Sequence, residues 1–286
     1  MLILHDPQCA DYGSSMRPEQ PSRTAKSAAH LRAAHPDWLW RIPPAAAPEA
    51  LRLAHAPEHL QRLQQPRDFD DDPPFFAGIY EHARRAAGAA MQAAEIALMD
   101  RQRVFSLMRP PGHHATTDQA MGFCYLNNIA IAALYARERL QAPRVAVWDF
   151  DAHHGNGTEA VLHARQGLLF TSVHQSPGYP GTGTRSFDNC KNWPVAPRTS
   201  RAEHMAALRA SLEAVVAFDP TLVLVSAGFD AYVNDPITAM SLEREDFVTL
   251  GRWLRETDLP AAAVLEGGYS ADLALLIDAW LSAWDK

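Results

Sequence analysis

Five short β-rich runs of this sequence are each followed at once by a loop crowded with Gly, Pro, His or Asp. We predict strands over residues 104–108, 144–148, 168–173, 221–226 and 261–265. Helical patterns begin near Leu126, Arg201, Glu243 and Ala271. Strands that alternate with helices in this way build a mainly parallel sheet. The sequence therefore predicts an α/β fold with three layers, α/β/α.

The first hundred residues carry helical patterns of their own. They predict two short helices, 49–55 and 57–65, broken at Pro57, and a longer helix over 78–99. Between them runs the polar loop QQPRDFDDDPPFF, with aspartates at 70–72. This loop is either a surface excursion or the edge of a binding mouth. With 286 residues, 47% of them hydrophobic, we expect one domain over residues 1–286.

Charge and composition exclude several classes of protein. The formal net charge of −7 is dispersed, and no Lys/Arg cluster offers a surface for direct binding of nucleic acid. No run of eighteen apolar residues and no signal peptide is present, so we expect neither a membrane span nor export. Three scattered cysteines do not make a disulfide framework. We therefore expect a cytoplasmic protein; no pattern indicates its oligomeric state.

The five loops share one place in the predicted fold. They contain RPPGHHA, DFDAHHGNG, HQSPGYPGTG, AGFD and EGGY, and each begins where a predicted strand ends. In a parallel sheet these strand ends lie at one edge, where ligands bind. The sequence therefore predicts one active site at the strand C-termini.

Two of these loops contain residues that suit a metal ion. Alternation along the strand end points Asp151 and His153 to the same side, and Asp230 supplies a third ligand. Oxygen and nitrogen donors of this kind, with an open position, are typical of catalytic zinc. Asp151 could instead cap a turn, but four further loops with reactive side chains favour the metal. The adjacent His113 and His114 are candidates for general acid and base catalysis.

The motifs RPPGHHA, GFCYLNN, DFDAHHGNGTE, PGTG, SAGFDA and LEGGY, in this order, resemble the histone deacetylase family. The relatives of that family include the acetylpolyamine amidohydrolases. The resemblance implies an arginase/deacetylase-like fold and a single catalytic domain. It also implies one Zn²⁺ on Asp151, His153 and Asp230, with the His113 and His114 pair beside it.

The resemblance implies further catalytic roles. Asp149 would hydrogen-bond His113, and Asn156, which is aspartate in many relatives, would hydrogen-bond His114. A neutral amide does not stabilise an imidazolium, so we predict that His114 is the less basic histidine and the general base. Tyr269 would donate to the substrate carbonyl and then to the oxyanion. Gly267 and Gly268 would let the backbone approach the cleft.

A narrow substrate channel and a potassium ion are also implied. Phe123 and Tyr179, with Gly122, match the channel wall, and Asp72 matches the rim aspartate, although Asp71 is an alternative. Ile237 matches the position at which polyamine-specific relatives have glutamate. The potassium ligands would be Asp149, Asp151, His153, Ser172 and the carbonyl of Val173.

We therefore predict a zinc-dependent amidohydrolase that removes an acetyl or short acyl group from an amine. Ile237 favours acyl-lysine, in a peptide, over an acetylpolyamine or another small amide. A manganese ureohydrolase is a weaker alternative, because a site with two metals needs more bridging carboxylates and Tyr232 stands where that family has a second aspartate. A non-catalytic protein that binds acylated amines is the third alternative.

Overall fold

The order of the strands decides which loops of this chain meet. The computed structural model describes residues 1–69 and 72–286. Eight strands in these residues form one sheet: β1 (Leu2–Leu4), β2 (Leu39–Arg41), β3 (Val104–Ser106), β4 (Val145–Asp149), β5 (Leu168–Gln175), β6 (Cys190–Val195), β7 (Leu222–Ala227) and β8 (Ala261–Leu265). Their spatial order is β2-β1-β3-β8-β7-β4-β5-β6. All neighbours are parallel, and β8 joins the β2-β1-β3 group to the other four strands.

Helices connect the strands. The described residues contain α1 (Ser22–Ala34), α2 (Pro48–Leu51), α3 (Pro57–Arg62), α4 (Ile79–Asp100), α5 (Asn128–Glu138), α6 (Asn156–Leu162), α7 (Arg201–Ala217), α8 (Arg244–Glu256) and α9 (Leu273–Asp285). Parallel strands need crossover connections of this kind. Among the described residues, no helix is both long and apolar enough to cross a membrane.

Apolar side chains cover both faces of the sheet. In β4, Val145 and Val147 pack in the core on one side, and Ala146 and Trp148 pack in the core on the other. Side chains of successive strand residues alternate in this way. Helices α4 and α5 lie against the first face, and α1, α7, α8 and α9 lie against the second. The predicted three-layer α/β/α fold is confirmed, and the sheet is parallel throughout.

The predicted elements match the structure to different degrees. The five predicted strands are β3, β4, β5, β7 and β8, each within two residues at either end. The predicted helix 49–55 is wrong beyond Leu51, because the chain turns there ahead of Pro57. The helix predicted over 57–65 ends at Arg62, and Pro66 disfavours helical backbone at the residue before it. The sequence patterns do not predict β1, β2, β6, α1 or α6.

Candidate active site

Two carboxylates and one imidazole meet where β4 and β7 end. Ligand atoms of Asp151, His153 and Asp230 all lie within 4.8 Å of one another. The Nδ1 atom of His153 is 2.8 Å from Oδ2 of Asp230 and 3.2 Å from Oδ1 of Asp151. Both aspartates are fully buried. Buried carboxylates at such separation need a cation between or beside them.

The surrounding backbone holds these carboxylates in place. The N–H of Gly267 donates to Oδ2 of Asp151 at 2.7 Å, and the N–H of Ala152 donates to Oδ1 of Asp230 at 2.8 Å. A Cβ atom at Gly267 would lie 2.3 Å from Oδ2 of Asp230, so only glycine fits there. The remaining donor atoms, two carboxylate oxygens and one ring nitrogen, are a set that Zn²⁺ accepts. The three residues therefore fit a single divalent metal ion.

The tandem histidines lie beside this cluster, on the loop after β3. Their ring centroids are 4.1 Å apart. Nδ1 of His113 is 3.0 Å from Oδ2 of Asp149, and Nδ1 of His114 is 2.8 Å from Oδ1 of Asn156. An Nδ1–H that donates to Asn156 leaves Nε2 of His114 as the proton acceptor of the neutral ring.

The two histidines have opposite pKa shifts. Burial lowers the pKa of His113, but the carboxylates of Asp151, Asp149 and Glu266 outweigh it and raise that pKa to about 10. Burial and the positive charge on His113 together hold the pKa of His114 well below its usual range. As the sequence predicts, His114 is the less basic of the pair.

A narrow cavity leads from the surface to the cluster. Its volume is about 230 Å³. The wall consists of Asp72, His114, Gly122, Phe123, His153, Tyr179, Ile237 and Tyr269. The Phe123 ring lies 5.8 Å from the Tyr269 ring, and its backbone has a φ of 66°, a strained conformation for a residue other than glycine. Strain of this kind is common at functional sites.

Other residues with predicted roles lie outside the cavity wall. Gly267 packs against the carboxylates, and the carbonyl of Gly268 accepts a hydrogen bond from Nε of Arg23 at 2.8 Å. In the predicted potassium set, Ser172 pairs in register with Asp149 across β5 and β4. Asp72 contributes to the cavity, whereas Asp70 and Asp71 lie outside the described residues.

Two buried groups that support the site are not predicted from the sequence. Oε2 of Glu266, which is fully buried, accepts hydrogen bonds from the N–H of Gly112 at 2.7 Å and of His113 at 3.2 Å. Arg23 donates to the carbonyl of Glu266, and its guanidinium lies 4.7 Å from the centre of the Tyr269 ring. The glutamate in EGGY was a visible signal for the first group. Arg23 had no motif beyond the short RPEQPSR stretch.

Comparison with known proteins decides the family. The family model described as histone deacetylase domain matches residues 17–285. The chain belongs to the histone deacetylase family. Its match to this family extends over both the tandem-histidine loop and the loop that bears Tyr269. The resemblance of the motifs is thereby confirmed.

Individual members of the histone deacetylase family are similar over most of the chain. A probable deacetylase of Methanothermobacter thermautotrophicus is 36% identical over 95% of this chain and 86% of its own. Acetylpolyamine amidohydrolase 2 of Pseudomonas aeruginosa is 33% identical, over 85% of this chain and 74% of its own. The crystal structure of acetylpolyamine aminohydrolase from Burkholderia pseudomallei superposes with a TM-score of 0.88 at 27% identity, covering 99% of this chain and 98% of that one.

Proposed function

We propose that this chain is a zinc-dependent deacetylase that hydrolyses the acetyl or short acyl amide of an alkyl amine. The observation that carries the proposal is the Asp151, His153 and Asp230 cluster at the inner end of a narrow cavity, with His114 and Tyr269 on the cavity wall. A Zn²⁺ ion bound to these residues would act as a Lewis acid on the amide carbonyl and make water a stronger acid. Family membership supports the same reaction class.

The side chains on the cavity wall supply the proton transfers. His114 faces the cavity, and its low pKa keeps Nε2 free to accept a proton from the attacking water. The protonated ring then gives that proton to the departing amine. The hydroxyl of Tyr269 donates a hydrogen bond to the oxyanion. Burial raises the pKa of this hydroxyl well above the ordinary value, so the hydroxyl stays protonated. His113 lies beside His114, and its Nδ1 is 3.0 Å from Oδ2 of Asp149.

We further propose a structural K⁺ ion bound by Asp149, Asp151, His153, Ser172 and the carbonyl of Val173. The register of β4 and β5 supports this proposal, because it brings Asp149 next to Ser172. Oxygen donors of this kind suit a hard cation. Such an ion would offset the negative charge of Asp149 beneath the zinc ligands.

The relatives that are named for a substrate support a small acylated amine. Both acetylpolyamine amidohydrolases described above carry acetylpolyamine in their names. The cavity is narrow, and the carboxylate of Asp72 at its wall could pair with a distal ammonium of such a substrate. We therefore place an acetylated polyamine or similar small amine ahead of the acyl-lysine favoured by the sequence.

One observation still favours acyl-lysine as a second candidate. Ile237 on the cavity wall is apolar and 36% exposed. A carboxylate at this position would attract the remote ammonium of a polyamine, whereas isoleucine offers only apolar contact. Acyl-lysine in a peptide would place no second ammonium there.

Turnover of two substrates by the zinc-loaded protein tests the proposal. We expect kcat/KM for N-acetylputrescine to exceed that for an acetyl-lysine peptide by about tenfold, the effect of one well-placed ion pair. A chelator should abolish turnover and added Zn²⁺ should restore it. Faster turnover of the peptide would favour acyl-lysine. No hydrolysis of either substrate by protein with one bound Zn²⁺ would contradict the proposed reaction.

A further inference from the structure

A buried carboxylate connects two parts of the cavity wall. Asp235, on the segment between β7 and α8, is 6% exposed. Its Oδ2 accepts a hydrogen bond from the backbone N–H of Tyr269 at 2.7 Å, and its Oδ1 accepts one from the N–H of Ile237 at 3.1 Å. Tyr269 and Ile237 both line the cavity. The two oxygens of one side chain thus hold the backbone of two wall residues.

The two hydrogen bonds have different functions. The bond from Ile237 is local, since it spans two residues and closes a turn of the Asx type. This turn orients the carboxylate. The bond from the backbone N–H of Tyr269 joins segments that are distant in sequence. Its acceptor is the second oxygen of the same carboxylate. Asp235 is therefore fixed by its own turn and presents its second oxygen to Tyr269.

The hydrogen bond to Asp235 fixes the backbone of Tyr269 directly after a glycine. Gly268 has a φ of 115°, in a region open mainly to glycine, and glycine restricts the following backbone least. The ring of Tyr269 contacts Phe123 and the Arg23 guanidinium, and neither of these contacts involves the Tyr269 backbone. A displacement of about 1 Å in a reacting group can lower a rate by about 100-fold. The backbone anchor of Tyr269 therefore bears on the rate.

We propose that Asp235 is a positioning residue that holds Tyr269 where its hydroxyl meets the oxyanion. This inference rests on the proposed function of Tyr269. A second connection between the same two segments serves as a comparison, because the hydroxyl of Tyr232 donates to Oδ2 of Asp272 at 3.2 Å without contacting the Tyr269 backbone. Tyr232→Phe removes that connection, together with the hydrogen bond that the Tyr232 hydroxyl accepts from the side-chain amide of Asn234 at 3.1 Å.

Asp235→Asn is the decisive variant. It has nearly the size of the native side chain. Its single amide oxygen closes the local turn to Ile237, so the N–H of Tyr269 faces an NH2 group that cannot accept a hydrogen bond. We expect kcat to fall by about tenfold or more, the effect of losing a hydrogen bond to a charged group, with KM within about threefold. Tyr232→Phe should keep kcat within about twofold, since it leaves the hydrogen bond between Asp235 and Tyr269 in place. The kcat of Asp235→Ala, which loses both hydrogen bonds, should fall further than that of Asp235→Asn.

A double-mutant cycle shows whether Asp235 acts through Tyr269. In the Tyr269→Phe background there is no hydroxyl to position, so Asp235→Asn should change the residual rate by less than about twofold. Independent effects that multiply in the double variant would overturn the proposal. Unchanged kcat in Asp235→Asn itself would overturn it as well.

Hydrogen exchange tests the same contact without using activity. In Asp235→Asn, the backbone amide of Tyr269 should exchange about tenfold faster or more, because its acceptor is lost. In Tyr232→Phe that amide should exchange at the native rate. Native protection in Asp235→Asn would contradict the proposal. Wild-type protein that hydrolyses neither substrate would contradict the proposed function, and the exchange rates would still decide whether Asp235 holds Tyr269.

Discussion

The imidazole rings of His113 and His114 lie 4.1 Å apart, but their Nδ1 atoms contact groups of different charge. His113 faces the carboxylate of Asp149, and His114 faces the amide of Asn156. Burial and the positive charge on the adjacent His113 together hold the pKa of His114 well below its usual range, so His114 is neutral. The two adjacent histidines therefore differ in their charge state and in the role that each can have.

Replacing Asn156 tests this division. In Asn156→Asp, a carboxylate next to Nδ1 should raise the pKa of His114. Since the general base works only when neutral, the acidic limb of the profile of kcat/KM against pH should move to higher pH, by about one pH unit or more. An acidic limb at the native position would show that His114 does not set it. Thr116→Ala, on the loop that carries His114, serves as the control.

Removing the Tyr269 hydroxyl tests the oxyanion donor. Tyr269→Phe keeps the ring against Phe123 and Arg23, so the fold should be retained. Loss of one oxyanion donor typically lowers kcat by about 100-fold to 1,000-fold. We expect a loss in that range, with KM little changed, in steady-state kinetics. Tyr135→Phe, on α5 and remote from the cavity, should retain native kcat; a native rate in Tyr269→Phe would exclude the proposed role.

At the scale of whole elements, α8 and α9 cross closely on the face of the sheet that α1 and α7 also cover. A Cβ atom at Gly251 in α8 would lie 2.3 Å from the carbonyl oxygen of Trp280 in α9. That oxygen belongs to the backbone and cannot rotate away, so a larger residue would force the helices apart. The crossing therefore depends on a single hydrogen atom in place of a side chain.

Gly251→Ala should lower the stability of the fold. We expect the free energy of unfolding to fall by about 1–3 kcal/mol, the usual cost of overpacking. Thermal unfolding followed by circular dichroism measures it, and kcat at a temperature well below Tm should stay native. Arg252→Ala, at the neighbouring exposed position, should change stability by less than about 0.5 kcal/mol. A native Tm in Gly251→Ala would show that the helices shift at no cost.

The sequence predicts strongly patterned elements well and weakly patterned elements poorly. β4 and β8 are runs of apolar residues with clear ends, and their predicted bounds are close to the structure. β2 has only three residues, and the side chains of Leu39 and Arg41 are exposed, so no burial pattern marks it. β6 contains Lys191, Asn192 and Pro194, which disfavour a strand in any local scale. Its pairing with β5 outweighs those local preferences.

The same limit applies to the candidate site. Motifs that follow strands bring Asp151, His153 and Asp230 together, because the edge of a parallel sheet gathers such loops. The roles of these residues stay predictions. Glu266 and Asp235 act on backbone N–H groups that are remote in sequence. Every residue except proline has a backbone N–H, so the identity of the donor residue does not reveal which side chain accepts from it, and sequence patterns cannot identify such a pair.

At the scale of the whole molecule, the metal should contribute to folding. Asp151 and Asp230 are fully buried carboxylates beside each other, and burial together with Asp151 raises the pKa of Asp230. A bound Zn²⁺ would relieve this repulsion, so a chelator should lower Tm and one equivalent of Zn²⁺ should restore it. Differential scanning calorimetry measures both steps. In Asp230→Asn the response of Tm to Zn²⁺ should be much smaller; an equal response would place the ion elsewhere.

The position of β8 in the sheet determines when during synthesis the candidate site can assemble. β8 lies between β3 and β7, and so between the strand that leads to the tandem histidines and the strand that leads to Asp230. During synthesis, no strand pairs with both groups until residues 261–265 have left the ribosome. Contacts between segments so far apart also form slowly. The site is therefore complete only late in synthesis, because the loop that carries Tyr269 follows β8 directly.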